Sequence, residues 1–372
     1  MGFLTFIVRN VLGRPARTLL TVLGIGVGIA AVVMLTGISW GFERSMAAIY
    51  SSRGIDLIVV RAGLSDQLSS NLDETLIGTI RGVPGVDAVA PSLMDAVSFE
   101  EANLASVLAN GWEPGGLLIR GLKVIDGRAL ERGDGKSVML GRVLALNLGK
   151  KVGATTSIAG EPFHVVGIYE SPSLFESGGL VVPLRELQRM MGRQGSVTGF
   201  VVVAKPDVNP KALGQAIEAK VGGVAAVPAR DYVQGNVQIR LARAMAGATI
   251  AVALVLGSIG LLNTMAMAVF ERTGEIGLLR ALGWRRTRII ALLMGEAAAL
   301  GLLGVAVGSG LAILGMRALM LSPTSRGFID PVLPPAAFAI ALAMGALLGV
   351  LGGLIPAIRA SRLEPTEALR HE

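Results

Sequence analysis

Four stretches of this chain are apolar over a length that crosses a bilayer, where about 20 helical residues span the hydrocarbon. They are Thr18–Ile38, about Ala244–Phe270, Ile289–Leu319 and Pro334–Ile358. The polar segments between them are of three kinds. From Gly41 to about Arg240 the composition is that of a water-soluble domain, Glu271–Arg288 is a short charged island, and Ser322–Val332 is a short loop carrying only Arg326 and Asp330. Ahead of the first span, Phe3, Leu4, Ile7, Val8, Val11 and Leu12 fall on one helical stripe before Arg14-Pro15, which predicts an interfacial helix leading into the membrane. A cleaved signal peptide would have a shorter apolar region and a small-x-small cleavage site after it, so the reading favours an uncleaved span.

Within Gly41–Arg240 the pattern changes to short elements broken by Gly and Pro. Strands are expected at Ile55–Arg61, after the turn in VPGVDAVAP, and at Ser137–Leu140, Thr156–Ile158, Phe163–Tyr169, Gly179–Val182 and Gly199–Ala204. Helices are expected at Leu72–Ile80, Arg142–Leu148, Leu184–Met191 and Pro210–Val221, with a helical stalk at Asp231–Arg243 running into the second span. That mixture predicts an α+β domain of two lobes.

The island ERTGEIGLLRALGWRRTR holds more structure than a simple connector requires. Thr273 is placed to cap a helix, and Glu275 lies in its first turn, where the helix dipole favours negative charge. Ile276, Leu279 and Leu282 recur at helical spacing, and Gly283 is placed to end the helix. The expected element is a short amphipathic helix at the membrane surface that docks a partner.

Composition and charge narrow the picture. Hydrophobic residues make up 52% of the 372 and charged residues only 16%; mean hydropathy is +0.62. A soluble domain carries about a quarter charged residues, so much of this chain belongs in lipid. Fifty glycines fit close helix approach in a membrane. The net charge of +7 does not point to nucleic acid, because the arginines gather beside the apolar runs. Arg9, Arg14 and Arg17, then Arg272, Arg280, Arg285, Arg286 and Arg288, then Arg359, Arg362 and Arg370 all fall on one side of a four-span topology. The expected arrangement has both termini in the cytoplasm and the large domain exported. The absence of cysteine excludes disulfides, thiolate nucleophiles, iron–sulfur clusters and Cys-based zinc sites.

Few residues invite catalytic chemistry. Gly133-Asp134-Gly135-Lys136-Ser137 contains GKS, but a phosphate loop needs glycine where Leu130 stands and a helix after it, whereas a strand is expected here. A surface turn explains it better. Gly24-Ile25-Gly26-Val27-Gly28 lies within a span, where helix packing explains it, as it does Gly304/Gly308 and Gly345/Gly349. Glu296 is the notable ionisable residue within a span. A functional site is the default for such a carboxylate, yet its shallow depth favours pairing with an arginine of the cytoplasmic belt. His164 and His371 are far apart and make no metal site, and no Ser/His/Asp constellation is available. The tail IPAIRASRLEPTEALRHE is polar and helical, with Pro365 suited to a first turn and Thr366–Arg370 continuing it. Arg359 and Arg362 are read either as snorkelling anchors or as a cytoplasmic contact surface.

ERTGEIGLLRALGWRRTRIIALLMGEA, a glycine-rich span and a terminal PAIRASRLEPTEALRHE together strongly resemble the permeases of MacB/FtsX-type (type VII) ABC transporters. VMLGRVLALNLGKKVGATTSIAGEPFHVVGIYES is similar to the family's periplasmic core domain. The resemblance implies a membrane α-helical fold with four transmembrane helices, one before and three after an inserted α+β extracytoplasmic domain. The expected layout is residues 1–40 for the interfacial helix and first span and 41–240 for the outer domain, with an inserted lobe near Ser106–Val197. Residues 241–270 would hold the stalk end and second span, 271–288 the coupling segment, 289–320 the third span, 321–333 the outer loop, 334–358 the fourth span and 359–372 the tail.

The resemblance further implies that Glu275–Gly283 is a coupling helix contacting an ATPase subunit. Ile276 and Leu279 would insert into a groove of that subunit while Glu271, Arg272 and Arg280 fix register by charge, so Leu279→Asp would abolish association. Members work by mechanotransmission: ATP-driven dimerisation of the nucleotide-binding subunits is relayed through the spans to move the external domains. MacB itself carries an N-terminal ATPase domain, whereas this chain begins almost at its first span, so the ATPase is expected to be a separate polypeptide. That partner would bind ATP and Mg, leaving this chain non-catalytic and without a cofactor. Other expected partners are the membrane, a second or homologous permease, and a periplasmic adaptor or lipoprotein acceptor. The leading reading is export or extraction of a lipoprotein, lipid or amphiphilic drug or peptide. The alternative is a division-type regulator whose external domain activates a cell-wall hydrolase without transport; that branch has a smaller external domain. An ATPase-independent receptor or scaffold is the third.

Overall fold

A computed structural model of the protein describes residues 15–63, 70–99, 102, 104–321 and 333–363. The expected interfacial helix at 2–14, the loop residues Arg326 and Asp330, and the tail beyond Leu363 lie outside the described residues. The chain divides into two compact units, one of Met1–Trp40, Ala242–Leu319 and Pro331–Glu372, the other of Gly41–Leu241 with Met320–Asp330.

The first unit is a helix bundle. Helix α1 (Pro15–Ser51) contributes its apolar part, and Ser258, Leu261 and Met265 belong to a later 35-residue helix, Val237–Glu271, named α9 below. Two further long helices are Arg286–Leu321 (α11) and Pro335–Ser361 (α12). All four are long and apolar enough to cross a membrane. Lipid gives no hydrophobic drive for helices to associate, so small residues that allow close backbone approach set the contacts. A Cβ on Gly308 of α11 would lie 2.6 Å from the Gly26 carbonyl oxygen of α1 and 2.8 Å from Ile29 Cβ. A Cβ on Gly349 of α12 would lie 3.1 Å from Ala298 Cα of α11, and one on Gly352 would lie 2.7 Å from Leu261 Cβ of α9. The Thr21 and Thr264 hydroxyls join α1 to α9 at 2.8 Å. Within the run Gly24–Gly28, Gly26 and Gly28 face neighbouring helices, whereas Gly24 has nothing within 4 Å.

The second unit is a mixed sheet with helices on its faces. In chain order it holds β1 (Leu57–Arg61), β2 (Leu72–Asp73), α2 (Leu76–Arg81), β3 (Val86–Phe99), β4 (Leu104–Trp112), α3 (Leu117–Arg120) and β5 (Lys123–Gly127). Then come β6 (Ser137–Gly141), α4 (Arg142–Leu148), β7 (Thr155–Ile158), β8 (Glu161–Glu170), α5 (Leu174–Ser177), β9 (Leu180–Pro183) and α6 (Leu184–Met190). It closes with β10 (Ser196–Val197), β11 (Gly199–Ala204), α7 (Pro210–Val221), β12 (Val224–Pro228) and α8 (Ala229–Gly235), after which α9 begins.

Strand pairing resolves two lobes. β12, β1, β11 and the first half of β3 lie side by side, all antiparallel. With α2 between β1 and β3 and α7 between β11 and β12, this is a split βαβ, ferredoxin-like arrangement. The second half of β3, from Leu93, pairs with β4 and continues through β9, β6 and β8 to β5. One strand therefore serves both lobes, and the insertion opens inside it, between Ser92 and Leu93, upstream of the Ser106 expected from the sequence. The inserted strands are covered on both faces, since Val138, Leu140, Leu180 and Val182 enter one core while Met139 and Val181 enter another.

The sequence reading departs from the structure at Leu72–Ile80. Leu72 and Asp73 pair with β10, and the helix starts only at Leu76. Asp73 Oδ1 accepts from the Thr75 backbone N–H at 2.8 Å and from its hydroxyl at 2.6 Å, a local turn that holds the helix off.

Two outcomes follow from this packing. Gly308→Val should destabilise the full chain by about 1–3 kcal/mol through overpacking against α1, whereas Gly24→Ala should be neutral or slightly stabilising; thermal unfolding in detergent compares them. In the inserted lobe, Arg189 and then Lys136 hold the Glu161 carboxyl down to about 2. A depressed carboxylate contributes fully above its unfolded value of about 4.3, and the contribution is lost as pH falls through the folded value. Stability measured from about pH 5 down to about pH 2 should therefore fall less steeply in Glu161→Gln than in the parent chain.

Candidate coupling site

The island between α9 and α11 folds as a nine-residue helix, α10 (Thr273–Ala281). Its start is not capped by Thr273. Arg272 occupies the cap position without a side-chain bond, and the Thr273 hydroxyl donates backward, to the carbonyls of Val269 at 3.2 Å and Phe270 at 2.8 Å. Those carbonyls sit in the last turn of α9, which leaves acceptors unpaired along its axis. The other end follows the expected chemistry. Gly283 has φ +90, its N–H bonds the Arg280 carbonyl, and the Trp284 N–H bonds that of Leu279. That pairing is a Schellman motif. The Arg288 guanidinium then stacks 4.4 Å over the Trp284 ring at the beginning of α11.

Charge fixes α10 from below. Arg272 Nη1 donates to both Glu296 oxygens, at 3.1 and 3.3 Å, and Arg272 Nε donates to Glu275 at 3.0 Å. Glu296 is 4% exposed, so this ion pair is largely withdrawn from water. Burial works against the charge on Arg272, but the facing Glu296 and Glu275 carboxylates outweigh it and raise the guanidinium pKa. One residue before, Glu271 accepts two bonds from Arg17 of α1, at 2.7 and 2.5 Å. Arg272 is thus engaged inside the bundle, and Glu271 is paired to Arg17 at its exposed edge.

The apolar face is divided in a way the sequence spacing did not resolve. Ile276 is 2% exposed and belongs to the bundle core with Ile289, Leu293 and Ala297, and Leu279 packs partly buried against the same core. Neither is placed to enter a partner's groove. Leu278 and Leu282, four residues apart, stand 53% and 71% exposed. Arg280 is half-buried, and its Nε has no hydrogen-bond partner among the described residues. Arg285, Arg286 and Arg288 are exposed, as are Arg359 and Arg362 at the end of α12.

The remaining candidates separate from this site. Lys136 pairs with Glu161 at 2.8 Å and Asp134 with Arg128 at 2.6 Å, and Ser137 begins β6, so GKS is an ion-paired turn entering a strand. His164 is exposed on β8, with its Nδ1 3.4 Å from the Thr155 hydroxyl. Sequence reasoning missed two features. One is Arg17 as the partner of Glu271. The other is a buried Arg53–Glu176 pair in the mixed unit, whose members lie far apart in the chain.

Arg272→Ala removes the guanidinium that meets the buried Glu296 carboxylate and should destabilise the full chain by about 3–5 kcal/mol. Glu296→Gln keeps an acceptor for Arg272 and should cost less. Thermal unfolding in detergent, with gel filtration to score folded protein, ranks the two.

Comparison with known proteins agrees with this architecture. Residues 18–220 match the MacB-like periplasmic core domain, and residues 247–365 match the FtsX-like permease C-terminal domain. The macrolide export ATP-binding/permease protein MacB of Agrobacterium fabrum is 28% identical over 96% of this chain. The chain covers only 58% of the length of that relative. YknZ of Bacillus subtilis, described as an uncharacterized ABC transporter permease, is 26% identical over 98% of this chain and 97% of its own length. The crystallised periplasmic region of MacB from Actinobacillus actinomycetemcomitans has a TM-score of 0.40 and 18% identity, covering 49% of this chain and 94% of that one. With four helices fit to cross a membrane among the described residues, a mixed α/β domain inserted after the first, and both family domains in order, the chain belongs to the MacB/FtsX-type ABC transporter permease family.

Proposed function

We propose that the chain is a permease subunit that couples ATP hydrolysis by a separate cytoplasmic ATPase to movement of its outer domain. The work done is export or extraction of a lipoprotein, lipid or amphiphilic drug or peptide. The observation that carries this reading is α10. A nine-residue helix is clamped to the bundle by Ile276 and the Arg272–Glu296 pair, while Leu278 and Leu282 remain exposed beside a cluster of arginines. An element that is rigid on one face and apolar on the other suits helix-in-groove docking, and the arginines suit an acidic rim on the partner. ATP and magnesium belong to that partner, and this chain performs no chemistry on them.

The arginine-rich ends of the helices support a cytoplasmic position for α10 and both termini in the inner membrane. A second permease copy, identical or homologous, is supported by α9, whose apolar stretch is 11% buried within the chain against 33–39% for the other three helices. Relatives named for macrolide export favour an amphiphilic small molecule within the substrate range.

Leu278→Asp and Leu282→Asp should each reduce co-purification of the ATPase roughly tenfold while leaving membrane insertion and gel-filtration behaviour unchanged. Ile276→Asp should instead lower the yield of folded protein, because its side chain fills the bundle core. Undiminished recovery of the ATPase with the Leu278/Leu282 double variant would sink the docking face.

A further inference from the structure

Helix α1 continues beyond its apolar stretch, and from Gly41 onward it belongs to the mixed unit. There its end meets the α5 segment of the inserted lobe through buried polar contacts and a half-buried aromatic one. Arg53 Nη2 donates to Glu176 Oε2 at 2.8 Å, with the two side chains 2% and 4% exposed. The Ser171 hydroxyl donates to the same oxygen at 2.5 Å, and the Tyr169 hydroxyl donates to the Glu176 carbonyl at 2.8 Å. The Ser45 and Ser173 hydroxyls lie 2.7 Å apart, and Phe42 meets Phe175 edge-to-face at 5.9 Å. The Arg53 guanidinium also lies 5.0 Å over the Trp112 ring. On another side of the same helix end the situation is opposite. An open cleft of about 590 Å³ is lined by Ala47, Tyr50 and Ser51 of α1 and by Pro210, Lys211 and Arg230 at the starts of α7 and α8.

A buried ion pair whose carboxylate oxygen also accepts from the Ser171 hydroxyl cannot open by small steps, even though Arg53 Nε has no partner among the described residues. Separating Arg53 from Glu176 leaves two charges unhydrated until water enters the joint. On the cleft side the end of α1 meets α8 through Tyr50 and Tyr232, edge-to-face at 6.2 Å, an uncharged contact whose separation leaves no charge unhydrated. We infer that the end of α1 and the inserted lobe form one rigid body that stays closed through the working cycle, with movement against the four-strand lobe taken up at the cleft. The working cycle in question is the one proposed above, so the inference rests on that reading for its purpose, though not for its geometry.

The chain has no cysteine, so Ser45→Cys/Ser173→Cys introduces a single thiol pair where two Oγ atoms are already in contact. In membranes treated with a mild oxidant this pair should cross-link nearly completely in the full chain. With the co-purifying ATPase bound, the disulfide should change ATP turnover less than twofold. Loss of turnover that dithiothreitol restores would overturn the inference. Hydrogen exchange on the unsubstituted full chain gives a second readout that needs neither variant nor ATPase. The amides of Ser171, Ser173 and Glu176, bonded to serine hydroxyls within the buried Ser171–Ser177 segment that the α1 end meets, should exchange within tenfold of those in β6 and β9. Faster exchange than that means a joint that opens on its own, which also overturns the inference. If no ATPase binds the chain at all, the proposed function fails while hydrogen exchange still decides the joint.

Discussion

The cost of holding a charge away from water governs how the coupling segment is built. Glu296 lies within a helix whose surroundings are leucine, alanine and glycine, and a carboxylate there is several kcal/mol less favourable than in water unless a cation meets it. Arg272 is that cation, and it is fixed at the junction of α9 and α10. The pairing therefore ties the start of α10 to α11 across 24 residues of chain. Once Arg272 is held, Ile276 one turn later must face the bundle core, and Leu278 and Leu282 must face away. A single ion pair thus decides which side of the amphipathic helix faces away from the bundle. The Arg17–Glu271 pair does the same for α1 and α9 one residue earlier in the island, with two parallel bonds of good geometry.

Close approach of glycine backbones makes these side-chain bonds reachable. Long helices separated by leucine side chains would keep their axes too far apart for the Thr21 and Thr264 hydroxyls to touch or for Arg272 to span the gap. The contacts of Gly308 with Gly26 and of Gly349 with Ala298 draw α11 against both α1 and α12. Polar clamps and small-residue seams are in this sense one device, because the seams set the spacing at which the clamps work.

Spans, their number and the position of the island were legible in the sequence because lipid imposes a simple pattern: about 20 apolar residues with charges at the ends. The helices at Arg142–Leu148, Leu184–Met190 and Pro210–Val221 and most strands of the mixed unit were legible for the same kind of reason, since Ser137–Leu140 and Gly199–Ala204 are short apolar runs between turns. The four-residue helices α3 and α5 were not, and the expected Asp231–Arg243 stalk is broken at Asn236, between α8 and α9. Strand β4 was not, and its composition explains why. Ser106 sits at φ +57, and Asn110 is 2% exposed with its amide turned to the Leu180 carbonyl, so polar residues interrupt the run on a strand that is nonetheless buried. Within the coupling segment, helical spacing showed that α10 has apolar stripes but not which one faces inward. Both 276/279 and 278/282 are consistent with a helix of 3.6 residues per turn. Only the Arg272–Glu296 contact chooses between them, and a pairing across two helices leaves no trace in local periodicity.

The buried pairs Arg272–Glu296 and Arg53–Glu176 invite the same question, because well-packed apolar residues of similar volume are often as stable or more so. Stability is then a poor reason for their presence. What an ion pair with further hydrogen bonds supplies is register: its geometry is satisfied at one relative position, whereas an apolar contact tolerates sliding of a side chain past its neighbours. If the chain passes displacement along its helices, as proposed above, it needs contacts that do not slip at the places where one element hands motion to the next. We take register as the reason these charges lie where they do. The hypothesis distinguishes them from the exposed ladder of Lys136, Glu161, Arg189 and Glu186, which is solvated and whose loss would leave the joints of the protein intact.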